Sequence, residues 1–419
     1  MTGQRVVHLI SEYSTHEAMG RTVTETAMRV PGEHHLITTK AHDGGDAFAS
    51  VHELGGRIET FPMSSADRLH ALIAEIDPDV VHLHAGALGP MLAQRSGLGR
   101  YPLLLTIYAW PGLPGRAAWK HAGWKGLRAS NVLPARVLAT AALPPSIVRR
   151  AVRALNPRGV LTPDPRVLER LSGCGVPVKA LPSGAPVDDR RASRTPAEDA
   201  APTVIFAGRS ETVRGIKTLI DAFPAVRAAV PDARLRLLLL PRAELAAIVA
   251  HVAASPVAEA IDVVTDPIPD LLGELAAAQV GCWPFLADYT TSPPAMAVAE
   301  AMAVGLPVVS TPVACVRSVM RPGLDGIAVP PGDAVALGQA LITLLTDAES
   351  WDRYAAAGRE AVSGLTWDKA ASTTESLYVP MSLHHWKPFF TDSGAHADRE
   401  RHGTGARVTR KVDPAVSTA

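Results

Sequence analysis

Short apolar runs alternate along the chain with longer amphipathic stretches. Arg5-Val6-Val7-His8-Leu9-Ile10 predicts a buried strand, followed by a loop at Gly20 and a helix over Thr22–Arg29. His35–Thr39 predicts a second strand. A helix from about Ser65 to Ile76 then leads through Asp77-Pro78-Asp79 into the strands Val80–His84 and Tyr101–Ile107. Continuous apolar runs separated by helical patterns argue for parallel strands covered by helices on both faces. Asp188–Pro202 breaks the pattern with a polar, Pro- and Ala-rich stretch that predicts a linker. The alternation then restarts with Thr203–Ala207, a helix over Gly215–Val230, Leu235–Leu240, a helix near Ala243–Ala254, Ile261–Val264, Val280–Phe285 and Pro307–Ser310. The expected fold is therefore α/β: two Rossmann-like, doubly wound domains, residues 1–187 and 203–382, facing across a cleft. Ligands in such folds bind near the carboxyl ends of the strands. Residues 383–419 are His-, Asp-, Arg- and Gly-rich without apolar periodicity, and a mostly disordered tail is expected there.

Composition narrows the class. An apolar fraction of 47% with 20% charged residues suits a soluble globular protein, and 419 residues suit two domains. No uninterrupted apolar stretch reaches the length of a membrane span, and Met1–Ile10 reads as a first strand rather than a signal peptide. The three cysteines, Cys174, Cys282 and Cys315, lie too far apart for a zinc-type cluster and fit a reducing cytosol. A cytoplasmic location is expected on this basis. The formal net charge of zero hides an asymmetry. Residues 1–195 carry 23 Lys/Arg against 16 Asp/Glu, while residues 196–419 carry 18 against 25. No acidic residue occurs from Val80 to Pro163, where eleven basic ones do. Such a basic half suits an anionic partner, or a second domain of opposite charge.

Two segments could carry chemistry. The first, Gly208-Arg209-Ser210-Glu211-Thr212-Val213-Arg214-Gly215, sits where a strand should end and a helix begin. Backbone amides at a helix start, with two guanidiniums five residues apart, can converge on one diphosphate; the alternative is a loop of solvated arginines. It is not a Walker loop, because Ile216 interrupts the Gly-Lys-Ser/Thr junction. In the second, Ser292-Pro293-Pro294 precedes an apolar helix that carries the lone carboxylate Glu300 and stops at Gly305. A carboxylate on an apolar helix needs donors. Ribose hydroxyls would serve, as would solvent or a neighbouring backbone.

With those segments the sequence resembles the retaining glycosyltransferases of family 4, which have the GT-B fold, over most of residues 5–378. The resemblance is carried by Asp79-Val80-Val81-His82-Leu83-His84, by Gly208-Arg209…Arg214-Gly215…Leu219-Ile220-Asp221-Ala222-Phe223, by Glu300-Ala301-Met302-Ala303 with Gly305-Leu306-Pro307-Val308-Val309, and by Gly326–Asp333. It implies that Arg209 and Arg214 hold the diphosphate of a nucleotide-sugar donor and stabilise its departure. Glu300 would hold the ribose, Gly20 would lie in a glycine loop near the phosphates, and Gly208 and Ser292 would line the donor site. A hexose-type unit would move with retention, without a metal or other cofactor, so Asp77-Pro78-Asp79 reads as a turn and not a manganese pair.

The sequence departs from the family at three places. Ser292 stands where the family has a first glutamate. Pro293 and Pro294 replace residues whose amides approach the donor sugar. Tyr108 stands where a histidine is common after the N-domain strand. A degenerate GT-B protein that binds a nucleotide or partner without transfer is the alternative these changes raise. An epimerase or phosphorylase on the same architecture is a third, although no context for a pyridoxal-bearing lysine accompanies it. His84, at a strand end, can face the cleft and contact acceptor or donor sugar; it can pair with His82 on a metal, or be a buried hydrogen-bonded residue. Trp119 and Trp124 lie among Arg116, Lys120, His121, Lys125 and Arg128, a mixture that suits an anionic membrane headgroup zone and a lipid-linked acceptor. A phosphorylated or carboxylated acceptor would suit it too, as would ordinary packing. No recognition motif points to nucleic acid.

Overall fold

The computed structural model describes residues 4–110, 116–129, 140–185, 190–198, 200–287 and 293–378. Ser292, residues 188, 189 and 199 of the expected linker and the expected tail 383–419 lie outside the described residues.

The first sheet contains β1 (Gln4–Tyr13), β2 (Gly32–Ala41), β3 (Ser50–Glu53), β4 (Val80–Ala85), β5 (Leu103–Ile107), β6 (Gly159–Thr162) and β7 (Val178–Ala180). Its strand order is β3-β2-β1-β4-β5-β6-β7, and every pair is parallel. The second contains β8 (Thr203–Arg209), β9 (Arg234–Leu240), β10 (Ile261–Val264), β11 (Val280–Trp283), β12 (Val308–Ser310) and β13 (Ile327–Ala328), in the order β10-β9-β8-β11-β12-β13, again all parallel. In each sheet the chain winds outward from its first strand and returns to that strand's other side. The switch points fall between β1 and β4 and between β8 and β11, where ligands of such folds bind.

The strands form where the apolar runs predict them, because both faces are covered and no polar alternation is needed. Val6, Val7, Leu9 and Ile10 of β1 have no exposed surface, nor do Val204, Ile205 and Phe206 of β8. Local signals set several helix starts: Asp164, Asp333 and Asp347 each accept a backbone amide at an N-cap.

Two expectations about organisation are corrected. The last helix, Trp367–Tyr378, was expected within the C-terminal domain 203–382, but it packs on the first sheet. Its Trp367, Ala370, Leu377 and Tyr378 share a core with Val6, Val80, Leu104 and Leu161, and the Tyr378 hydroxyl meets His82 Nδ1 at 2.8 Å. An amphipathic helix goes where an apolar face awaits it, and sequence order does not decide that face. The second correction concerns Gly20, which lies within the first turn of the helix Ala18–Arg29 and not in a loop. Its lack of a side chain serves packing, since a methyl group there would stand 2.1 Å from the Ser14 carbonyl oxygen.

Candidate active site

Arg209 ends β8, and Gly208, Ser210 and the short turn Thr212–Arg214 continue directly from it at the switch point. The turn closes on Gly215, in the left-handed region at φ 80°, and opens the helix Ile216–Ala229. Only glycine fits there, because a methyl group would lie 1.8 Å from the Pro284 carbonyl oxygen. The turn thus folds back over its strand, and a methyl group on Gly208 would be 3.6 Å from Arg214 Nη1. Gly208, Arg209 and Arg214 lie close together, with both arginines within 4 Å of Glu211.

The two arginines differ in their partners. Arg214, with 11% of its side chain exposed, donates from Nε to Glu211 Oε2 at 3.0 Å. Arg209 lies 3.9 Å from the other Glu211 oxygen and donates to Glu17, which immediately precedes the first helix of the other half. Burial works against the Arg209 charge, but Glu17 and Glu211 outweigh it and push its pKa up. Burial also opposes ionisation of Glu17; Arg209 and Arg242 outweigh it and hold the carboxyl below its ordinary range. Arg242, just past the end of β9, donates from Nη2 to the second Glu17 oxygen at 2.5 Å. Sequence reasoning missed both Glu17 and Arg242. Neither belongs to a local pattern, and what joins them to Arg209 is the approach of two loops distant in the chain.

Glu300 lies on the helix Met296–Ala303, buried, and accepts a hydrogen bond from Arg21. Burial pushes its carboxyl above the usual range, with Arg21 opposing the shift. The Arg21 guanidinium also stands 5.9 Å from the Trp367 ring.

His84 does not face the cleft. It is 2% exposed and lies within a chain of buried side chains behind the sheet ends. His34 Nε2 is 2.8 Å from the Val30 carbonyl oxygen, His34 Nδ1 is 2.9 Å from His8 Nε2, and His8 Nδ1 is 3.1 Å from His84 Nε2. His84 Nδ1 completes the chain 3.0 Å from the Tyr108 hydroxyl. A carbonyl can only accept, so His34 must donate to it. Each following imidazole then donates to the one before, and Tyr108 donates to His84. One proton per ring satisfies every nitrogen, which requires all three rings to be neutral. His8 also supplies the third imidazole beside His82 and His84, with ligand nitrogens within 4.8 Å of one another. The His82 nitrogens are taken by Tyr378 and by Thr106, the latter at 2.7 Å. A metal there would have to break these bonds, so the cluster reads as a hydrogen-bonded core.

The helical segment Arg116–Ala129, broken at Gly123 where the backbone leaves the helix (φ 60°), reaches from the first half over the arginine turn. Its Ala118 and Leu127 share a small core with Val213 and Ala287. Trp119 and Trp124, 43% and 61% exposed, are stacked with ring centroids 6.2 Å apart. Arg116, Lys120, Lys125 and Arg128 are exposed beside them. No helix among the described residues is long and apolar enough to cross a membrane.

Two parallel sheets with this winding, with arginines and a glutamate set at the C-terminal sheet, define the class: the GT-B fold. Solved structures agree, among them sucrose-phosphate synthase from Thermosynechococcus elongatus, with a TM-score of 0.67 and 19% identity, covering 90% of this chain and 98% of that one. Anabaena HepE in complex with UDP and glucose aligns with a TM-score of 0.64 and 14% identity, covering 89% and 99%. Residues 201–347 match the family model described as glycosyl transferases group 1. The chain thus resembles that family over residues 201–347. Over 180 residues it is 34% identical to a phosphatidyl-myo-inositol mannosyltransferase of Mycobacterium leprae, a match that covers 42% of this chain and 46% of that protein. The Mycobacterium tuberculosis protein of the same name is 31% identical over 186 residues, with the same coverage. The matched part is thus a little under half the length of these relatives.

Proposed function

We propose that the chain transfers a hexose-type sugar from a nucleoside-diphosphate-sugar donor to an acceptor, with retention at the anomeric carbon and without a metal. The observation that carries this reading is the convergence of Arg209 and Arg214 at the end of β8, beside the switch point. Guanidiniums fixed there bind a diphosphate and stabilise the charge it gains as the glycosidic bond breaks. Glu300 supplies the carboxylate for two ribose hydroxyls. Two solved structures of similar fold hold UDP with glucose and UDP-glucose, which supports a nucleotide-sugar donor. The relatives named for phosphatidyl-myo-inositol and the exposed tryptophan pair among cations favour a lipid-linked acceptor reached at an anionic membrane surface.

The test is a screen of thermal midpoint against nucleoside diphosphates and their sugars, because a ligand that binds only the folded state raises the midpoint. A stabilising donor should then be hydrolysed slowly or transferred. A flat response to all of them sinks the reading. Stabilisation with no turnover supports a second reading, nucleotide binding without transfer. Pro293 and Pro294, which offer no amide hydrogens ahead of the Glu300 helix, favour that reading.

A further inference from the structure

We propose that Arg242 is a third ligand of the donor diphosphate and that Glu17 holds the phosphate position until the donor displaces it. The inference rests on the nucleotide reading above and adds two residues to it.

Arg242 is placed by the sheet. Its backbone amide donates to Ser210 Oγ at 2.7 Å, which fixes the segment after β9 against the segment after β8. Arg209 pairs in register with Leu240, so the two guanidiniums project from neighbouring strand ends. Between them lies the Glu17 carboxylate, one oxygen on each: Oε2 on Arg209 and Oε1 on Arg242. A planar carboxylate bridging two guanidiniums presents the same pair of oxygens that a phosphate would. Glu17 stands at the N-cap of its helix but makes no side-chain bond to that helix. Its charge is given to the arginines instead.

The remaining pairs support the assignment. Arg214 is bonded to Glu211 within its own turn and makes no bond to Glu17. Removing Glu17 would leave Arg242 without this carboxylate and Arg209 and Arg214 sharing Glu211, with Glu12 acting on Arg209 from further away. The resulting excess of positive charge suits the negative charge of a nucleoside-diphosphate sugar. One turn after Glu17, Arg21 occupies the Glu300 carboxylate. The first helix therefore offers an anion to the phosphate cations and a cation to the ribose carboxylate.

Calorimetric titration of the full chain with UDP, GDP, ADP and pyrophosphate tests the proposal on Glu17→Gln, Arg242→Gln and the double variant. Glu17→Gln should bind the preferred diphosphate about tenfold more tightly than the unaltered chain, because a neutral amide is the weaker competitor. Arg242→Gln should bind it about tenfold more weakly. The double variant should bind more weakly than Glu17→Gln alone, which separates Arg242 as a ligand from Arg242 as a holder of Glu17. Equal affinity in Glu17→Gln and the unaltered chain overturns the placeholder, and no loss on adding Arg242→Gln to Glu17→Gln overturns the ligand. Either result leaves the nucleotide reading intact. If no compound binds the unaltered chain or Glu17→Gln while both retain their thermal midpoints, the nucleotide reading fails and this inference falls with it.

Discussion

Arg21 and Glu300, 279 residues apart in the chain, form an ion pair that ties the first helix to the glutamate helix of the other half. The Glu300 side chain is only 4% exposed, while that of Arg21 is 30% exposed. A buried carboxylate that loses its cation keeps the cost of burial. Arg21→Met should therefore lower stability by about 1–3 kcal/mol, discounted for the exposed side of the pair. The same change should not weaken nucleoside-diphosphate binding, because it vacates the carboxylate a ribose would use. Urea denaturation and calorimetry on one preparation check both statements. Glu300→Ala should cut nucleoside-diphosphate affinity about tenfold to a hundredfold through lost charged hydrogen bonds. Its affinity for pyrophosphate, which has no ribose, should stay the same. A parallel loss for both ligands would remove Glu300 from ribose recognition.

Arg214 is held by Glu211 beside Gly208, where a departing diphosphate would gain charge. Arg214→Ala is expected to lower turnover about 10²–10³-fold, the range seen when one preorganised donor to a developing anion is removed. The fold should persist, since the turn itself is fixed by Gly215 and by the Thr212 amide donating to Glu244 at 2.9 Å. Arg214→Lys should restore part of the activity, because a point charge replaces the charge but not the forked geometry. The assay is release of nucleoside diphosphate from whichever donor stabilises the protein. Full activity in Arg214→Ala counts against the proposed role.

Much of this was legible in the residues, and the illegible part has a common cause. The strands β1, β4, β8 and β9 and the Arg209–Arg214 turn follow from local apolar runs and a glycine, so sequence reasoning finds them. Short β3, β6, β7 and β13 were not predicted; two to four residues make too brief a pattern. His84 misled because a strand-end polar residue reads as facing a cleft. Its partners, His8 and Tyr108, lie 76 and 24 residues away and turn it into core. Glu17, Arg21 and Arg242 were missed for the same reason. Each acquires its meaning from a residue in the other half, and no window along the chain contains both.

The buried histidines make stability depend on pH. Burial lowers the pKa of His8, His34 and His82, and it lowers His84 to about 3. The unfolded chain, with histidines near 6.5, then takes up protons in acid that the folded chain refuses. The stabilisation is complete above about pH 6.5 and is lost as pH falls through that value towards the folded pKa. Each such histidine contributes a slope of about 1.4 kcal/mol per pH unit in that window. The urea midpoint should therefore drop between pH 7.5 and pH 5.5. His84→Gln, which keeps a donor and an acceptor without a titrating base, should be less stable at pH 7.5 but show a shallower decline. A midpoint in the unaltered chain that does not move over this range would contradict the neutral-chain assignment.

The segment Arg116–Ala129, two helical pieces either side of a break at Gly123, divides its side chains between two tasks. Ala118 and Leu127 pack on Val213 of the arginine turn, while the stacked Trp119 and Trp124 point outward among four exposed cations. Indole rings interleaved with cations suit the headgroup zone of an anionic bilayer, and each cation near such a surface adds about 1 kcal/mol. The full chain should therefore co-sediment with vesicles containing phosphatidylglycerol and much less with vesicles of phosphatidylcholine alone. Replacing Lys120 and Lys125 with Gln should lower the partition about thirtyfold, and raising salt should lower it too by screening. Trp119→Ala with Trp124→Ala should weaken binding to both kinds of vesicle, because the indoles contribute buried area and not charge. Since Ala118 and Leu127 are untouched, these variants should keep the thermal midpoint and the nucleotide affinity of the unaltered chain. Equal sedimentation of the unaltered chain and the variant lacking Trp119 and Trp124 would show that this face is not the membrane contact.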